Sequence, residues 1–340
     1  MILKRFLPIL SIICSLTLLV SPFAAAEILF HSSRTGNHEI YTMNDDGSRI
    51  RRLTDNPMAD VDPRWSPDGK NIVFGRHPMY TGPVLLDLLT SNIFIMDADG
   101  RNERQLTDTP AYNRRAAWHP DGNRIAFSIY EAEQTYIAVM NLQTGEVQRL
   151  MNNPESWLSG SPDWSPNGRR IVFEHSDEFG RNIWTMNADG KHDKRRSPPN
   201  KDIDFLILRY VPRWSPDGVH ILYPEAEYRR LPGKLDLIGM RLIIQNVLTG
   251  SREIHDLPKG FLVSPDLCWM ADGREVLFSA ADRNVSRVNV IYRYPLDTRE
   301  LIPLTDPRDS YYVSDWRPGN LYVSPKGKLT GLWGRIKQME

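Results

Sequence analysis

The sequence predicts an all-β fold, a six-bladed β-propeller of four-stranded antiparallel blades closed by its N- and C-terminal strands in one composite blade. Two observations carry this. A tryptophan-centred turn recurs six times, as WSPDG at Trp65, WHPDG at Trp118, WSPNG at Trp164, WSPDG at Trp214, WMADG at Trp269 and WRPGN at Trp316. The intervals are 53, 46, 50, 55 and 47 residues, a near-fixed period that marks a closed or stacked repeat. Around each turn the same kinds of short apolar run reappear in the same order.

The run after each turn is rich in β-branched and aromatic residues, from Ile72 to Phe74, Ile125 to Phe127, Ile171 to Phe173, Ile221 to Tyr223 and Val276 to Phe278. Bounded by Gly, Asp and Pro, these read as strands. A second run ends in a turn, as in IYTMNDDG (Ile40 to Gly47), IFIMDADG (Ile93 to Gly100) and IWTMNADG (Ile183 to Gly190), and Asp-Gly after alternating apolar residues signals a hairpin. A third strand follows in RRLTD (Arg51 to Asp55), RQLTD (Arg104 to Asp108) and IPLTD (Ile302 to Asp306). With the strand that carries the tryptophan, each unit has the four strands of a propeller blade. The first unit, Ile28 to Leu53, lacks a tryptophan strand, and the last, Tyr311 to Trp316, lacks the other three. Joining the two makes one blade and removes an open sheet edge.

Units that combine WSPDG, an I-[AV]-F strand, an M-[ND]-A-D-G turn and an R-x-L-T strand resemble the repeats of the TolB-type β-propeller family, over roughly residues 27 to 319. The resemblance implies a propeller that binds an envelope protein, such as a peptidoglycan-associated lipoprotein, over its channel mouth. TolB proteins carry an α/β domain before the propeller; with 26 residues ahead of the first strand, that domain is not expected here.

Residues 1–26 read as a signal peptide. Lys4 and Arg5 precede an apolar stretch from Phe6 to Val20, and Ala24 to Ala26 provide a small-residue cleavage site, with the cut expected after Ala26. The stretch is shorter than the ~20 residues of a membrane span and contains Pro8, so stable membrane insertion is not expected. The mature chain is then periplasmic or secreted and read as a monomer. Without Lys4 and Arg5 it has 40 basic against 42 acidic residues, which argues against nucleic acid as a partner. Its single cysteine, Cys268, can form no internal disulfide and reads as a small buried apolar residue.

The repeated residues read as structural. The tryptophans are expected to pack between neighbouring blades. Asp68, Asp121 and Asp217 are turn residues, and DADG (Asp97 to Gly100) is a hairpin turn, because Ile95 stands where a calcium loop needs its first ligand. Both turn types fall on one face of the ring. The other face receives loops of varied length: Gly75 to Asn92, Glu174 to Asn182, Lys201 to Tyr210 and Pro224 to Gly239. Recognition is expected there.

Strand alternation places the residues one and three before each tryptophan on the face opposite it. The charged ones are Asp62, Arg64, Arg115, Asp163, Arg213, Asp266 and Asp315. They are expected to line the channel, largely neutralising one another between adjacent blades. Tyr112, Trp157, Tyr210, Tyr311 and Tyr312 add aromatic surface of the kind enriched at binding hot spots. The candidate partner-binding set is Asp62, Arg64, Tyr112, Arg115, Trp157, Asp163, Tyr210, Arg213, Tyr312 and Asp315.

No catalytic signature stands out: there is no GxSxG elbow, HExxH helix or phosphate-binding glycine loop. The expectation is a non-catalytic scaffold with no cofactor and no metal. The alternative is a carbohydrate-binding or carbohydrate-degrading, lyase-like propeller. In that reading the tyrosines stack on a glycan, and His31 and His175, each after a second strand, converge on a metal. In the C-terminal segment 320–340, Leu329, Leu332, Trp333 and Ile336 recur at helical spacing, an amphipathic tail expected to dock on the propeller's flank.

Overall fold

The computed structural model describes residues 26–78, 90–131, 134–150 and 159–319. The leader, residues 79–89, Trp157 and the tail 320–340 lie outside the described residues. Six antiparallel sheets form the blades, and the described residues contain no helix. Numbered by tryptophan, blade one carries Trp65, two Trp118, three Trp164, four Trp214, five Trp269 and six Trp316.

Blade six is the composite. Its inner strand, Tyr311–Arg317, pairs antiparallel with Glu27–Ser32, which pairs with Glu39–Asn44 and then Arg51–Arg52. Arg317 fastens the join on both sides: its Nε donates to Glu27 Oε2 at 2.9 Å, another guanidinium nitrogen donates to Gly69 O, and the guanidinium lies 3.7 Å from the centre of the Trp65 ring.

The core is six apolar clusters, one per blade interface, and each holds the tryptophan of the following blade. Trp65 packs with Leu29 and Ile40 of blade six, Trp118 with Val73 and Ile93 of blade one, and Trp164 with Ala126 and Ile137 of blade two. Trp214, Trp269 and Trp316 repeat this against blades three, four and five. A flat indole fills the wedge between two twisted sheets and contributes ~25 cal/mol for each Å² of apolar surface it buries.

The other repeated residues have equally local reasons. The Thr hydroxyl of R-x-L-T accepts the amide of the neighbouring strand, Ile40 N to Thr54 at 2.9 Å and Ile93 N to Thr107 at 2.9 Å. It donates in turn to Glu39 or Asn92. The glycine of the Asp-Gly turn meets the preceding blade: a Cβ on Gly100 would stand 2.6 Å from Leu53 O, and Gly100 has φ +91°. Only glycine accepts both conditions.

Blade four departs from the pattern. Its central strands, His220–Leu231 and Lys234–Asn246, run 12 and 13 residues and rise beyond the ring on the variable face. Its inner strand is split into Phe205–Arg209 and Arg213–Trp214, both paired with His220–Leu231. The base of this extension is held by Glu225, which accepts from Arg209 at 2.6 Å, Arg241 at 2.8 Å and Arg252 at 2.8 Å. Burial pushes its carboxyl up, but the three guanidiniums outweigh burial and hold it below its ordinary value.

Replacing Arg317 with Ala is expected to lower stability by about 1–2 kcal/mol, seen as a fall of a few degrees in Tm. A chain ending at Ser310, which bares the edge of Glu27–Ser32, is expected to lose its single cooperative transition and to oligomerise on size exclusion. An unchanged melt for the truncated chain would show that the ring does not need this strand.

Candidate functional site

Each inner strand is interrupted just before its tryptophan. Register shifts fall between Val61 and Arg64, Arg114 and Ala117, Gly160 and Asp163, and Val263 and Leu267. In blade six the shift lies opposite Leu29 and Phe30, and in blade four the strand breaks. Asp62, Arg115, Ser161 and Val211 have φ of 53°, 54°, 53° and 32°, values that non-glycine residues seldom adopt. These are β-bulges, devices that re-aim side chains beside functional sites. Simple alternation is therefore corrected. The bulge sorts the channel residues into two layers, one from the position three before each tryptophan and one from the position directly before it.

In the deeper layer Arg64 bonds Asp163 at 3.1 Å and lies 3.5 Å from Asp315. Both aspartates also accept an amide from the next blade, Trp214 N to Asp163 at 2.8 Å and Trp65 N to Asp315 at 2.9 Å. In the upper layer Arg115 reaches Asp266 at 3.3 Å and Asp62 at 3.9 Å. Neutralisation between adjacent blades is only half of this pattern. Arg64 skips blade two to reach Asp163, and Arg115 of blade two spans the channel to Asp266 of blade five, directly opposite. The space left is a cavity of about 10 Å³ lined by Asp62, Arg64, Arg115, Arg213 and Asp266, room for at most one water. The channel is plugged, not open.

Burial pushes the carboxyls of Asp163 and Asp266 up, and their arginines only partly offset it. At Asp62 burial acts the same way, but Arg115 and His31 outweigh it and hold the group below its ordinary value. Burial and the repulsion of Arg64 pull Arg213 down to about 10, so it remains charged at neutral pH. Burial and the nearby Asp315 raise the Cys268 thiol, consistent with an inert core residue.

Above the plug, on the variable face, lies a cup of about 570 Å³, within the usual range for binding sites. Arg115 and Val211 form its floor, Arg114, Arg181 and Glu174 contribute charge, and Tyr210, Tyr228, Met240, Leu262 and Val263 make an apolar wall. Tyr312 closes the rim, stacked on His31 at 4.9 Å and 7°, with His38 edge-on at 5.5 Å. Burial lowers both His31 and His38 to about 4; Arg115 and His77 add to it at His31, and His31 and His77 add to it at His38. Both rings are therefore neutral. A second cavity of about 370 Å³ lies on the opposite, tryptophan-turn face between blades four and five, beside Asp217, His220 and Trp269.

The expected site residues thus divide. Asp62, Arg64, Asp163, Arg213 and Asp315 belong to the plug. Arg115 joins plug to cup, and Tyr210 and Tyr312 line the cup. Tyr112 lies to the side, its ring 5.6 Å from the Arg114 guanidinium and 6.2 Å from His77. Trp157 is outside the described residues. His31 and His175 do not converge: they sit on opposite blades, His31 in blade six and His175 in blade three, and Asp177 and Asp193 act on His175. Among the described residues no group of three or more His, Cys, Asp or Glu is placed to hold a metal ion. Sequence reasoning missed Arg114 and Met240, and it placed Glu174, Arg181 and Tyr228 within the recognition loops without singling them out. One signal was present, since Pro63, Pro162 and Pro212 stand two before their tryptophans, and proline inside a sheet marks a bulge or an edge.

Removing Arg115 would leave Asp62 and Asp266 buried without their cation. Arg115→Met is expected to destabilise by about 3–5 kcal/mol in urea unfolding, with part recovered by adding Asp266→Asn; no loss in the single variant would refute a structural role. For His31 the unfolded chain titrates near 6.5 and the folded one near 4, so the unfolded state binds more protons between these values. Stability is therefore full above about pH 6.5 and declines as pH falls towards 4. His31→Phe, which keeps the stack on Tyr312, is expected to make the Tm-against-pH curve shallower across that window, with the remaining slope carried in part by His38.

A protein-family model described as the TolB beta propeller domain matches residues 87–225. The chain is 28% identical over 183 residues to the Tol-Pal system protein TolB of Francisella tularensis subsp. mediasiatica, a match covering 53% of this chain and 38% of that protein. It thus spans well under half the length of the curated relatives it matches. Among solved structures it is similar to TolB from Acinetobacter baumannii, with TM-score 0.65, 17% identity, 86% of this chain and 67% of the other covered. It is similar also to the oligogalacturonate lyase of Vibrio parahaemolyticus, with TM-score 0.53, 15% identity, and 82% and 73% covered. The repeat motifs, the six blades and these matches agree on a TolB-like β-propeller, with the TolB beta propeller domain model matching residues 87–225.

Proposed function

We propose that this protein is a periplasmic, non-catalytic scaffold that binds an envelope protein over the channel mouth of its variable face. The observation that carries the reading is the cup of about 570 Å³ set on a sealed floor. A plugged channel passes nothing through, so the cup is a terminus that a partner's side chains enter. Tyr210 and Tyr312 are the contact residues, Tyr112 flanks them, Arg115 presents the floor, and Trp157, outside the described residues, is a further candidate contact. Asp62, Arg64, Asp163, Arg213 and Asp315 act from below by holding the floor rigid. Export through removal of residues 1–26 and docking of the tail 320–340 on the flank complete the proposal. By kinship with Tol-Pal proteins, the favoured partner is a peptidoglycan-associated lipoprotein.

The test is capture from envelope extract by immobilised residues 27–340, with Tyr210→Ala and Tyr312→Ala as controls. One envelope protein, held by the native protein and lost at least tenfold in either variant at unchanged Tm, is the expected result. No captured protein would overturn the scaffold reading. Turnover of oligogalacturonate, abolished by chelator and by His175→Ala, would put the lyase alternative in its place.

A further inference from the structure

Two cations line the cup, Arg114 and Arg181, and neither has a carboxylate within ion-pair distance among the described residues. Each guanidinium is instead held against a tyrosine, Arg114 5.6 Å from the Tyr112 ring centre and Arg181 5.1 Å from that of Tyr210. Among the described residues the one acid lining the cup, Glu174, is buried and tied down by hydrogen bonds. Its Oε1 accepts from Ser161 Oγ at 2.9 Å and its Oε2 from Val211 N at 3.2 Å. Arg115 below is likewise committed to Asp62 and Asp266. The cup therefore keeps two stacked, half-buried cations free for a ligand, and its lining also holds Tyr228, Met240, Leu262 and Val263 with the polar Ser264 and Asn289.

We infer that the cup recognises a polypeptide carboxylate, an Asp or Glu side chain next to an apolar one, with Arg114 and Arg181 gripping the carboxylate. This rests on the scaffold reading and names the chemistry of its partner. Arginine's planar fork matches a carboxylate bidentately. Stacking on tyrosine orders the fork in advance, which reduces the entropy lost on binding. The apolar side chains of Met240, Leu262 and Val263 favour a peptide that carries an apolar group over an anionic sugar, whose hydroxyls laid on them would lose water and could gain partners at Ser264 and Asn289 beside them. The neutral His31 and His38 at the rim add no competing charge.

The test uses residues 27–340 on an array of pentapeptides that place Glu or Asp beside Leu, Met or Phe, with a matched array carrying Gln or Asn. Binding at least about tenfold tighter to the acidic array, weakened about tenfold in Arg114→Gln/Arg181→Gln at unchanged Tm and weakened by salt, is expected. Equal binding to both arrays, no binding to the acidic one, or retention of trigalacturonate but of no acidic peptide would overturn the inference. Envelope capture with the double variant separates the two readings. A partner captured equally by native and variant protein leaves the scaffold standing and removes the carboxylate grip; no capture by native protein removes the scaffold, and the array still decides the grip.

Discussion

Antiparallel pairing of Tyr311–Arg317 with Glu27–Ser32 is the contact on which the rest of the molecule depends. Each tryptophan packs on the blade before it, so the ring works as a chain of six interfaces that is complete only when blade six meets both neighbours. Left open, two apolar faces and a sheet edge would be exposed, and the inner strands would have no reason to stay at one distance from a common axis. Arg317 adds a local clamp at that seam, bonding Glu27 within the blade and lying on Trp65 of the next.

Closure creates a second constraint at the axis. Six inner strands converge, and their bulges aim charged side chains into a space where water is scarce. Two of the three plug arginines each meet two anions, Arg64 with Asp163 and Asp315 and Arg115 with Asp62 and Asp266, while Arg213 donates to the backbone carbonyls of Leu267 and Pro212. Buried ion pairs of this kind add little net stability but make the loss of any one member expensive, so the plug acts mainly to fix the blades' relative positions. Rigidity at the floor lets the cup above keep its shape, with Tyr210, Tyr228 and Tyr312 carried on three different segments.

Blade four shows how the repeat accommodates novelty. Its two long strands and split inner strand raise a wall beside the cup, stabilised at the base by Glu225 among three arginines. Tyr228 and Met240 come from this extension. The loop from Pro224 to Gly239 was legible as long and variable but not as a continuation of the sheet, because its charged and proline residues read as loop chemistry. Paired register with Phe205–Arg209 decides otherwise.

Local patterns were enough for the blades. The Trp-Ser-Pro-Asp-Gly turns, the alternating strands, the Asp-Gly hairpins and the composite closure all depend on short-range geometry and on burial that repeats with a constant period, and the sequence by itself determined them. Much of the site was not legible this way. Arg115 could be placed in the channel but not opposite Asp266, 151 residues away, and nothing in the local pattern singled out Arg114 next to it. Only the tertiary structure decided which charges neutralise one another and which remain free. Pairing across a ring depends on the angle between blades and on bulges of a single residue, and neither leaves a periodic trace along the chain.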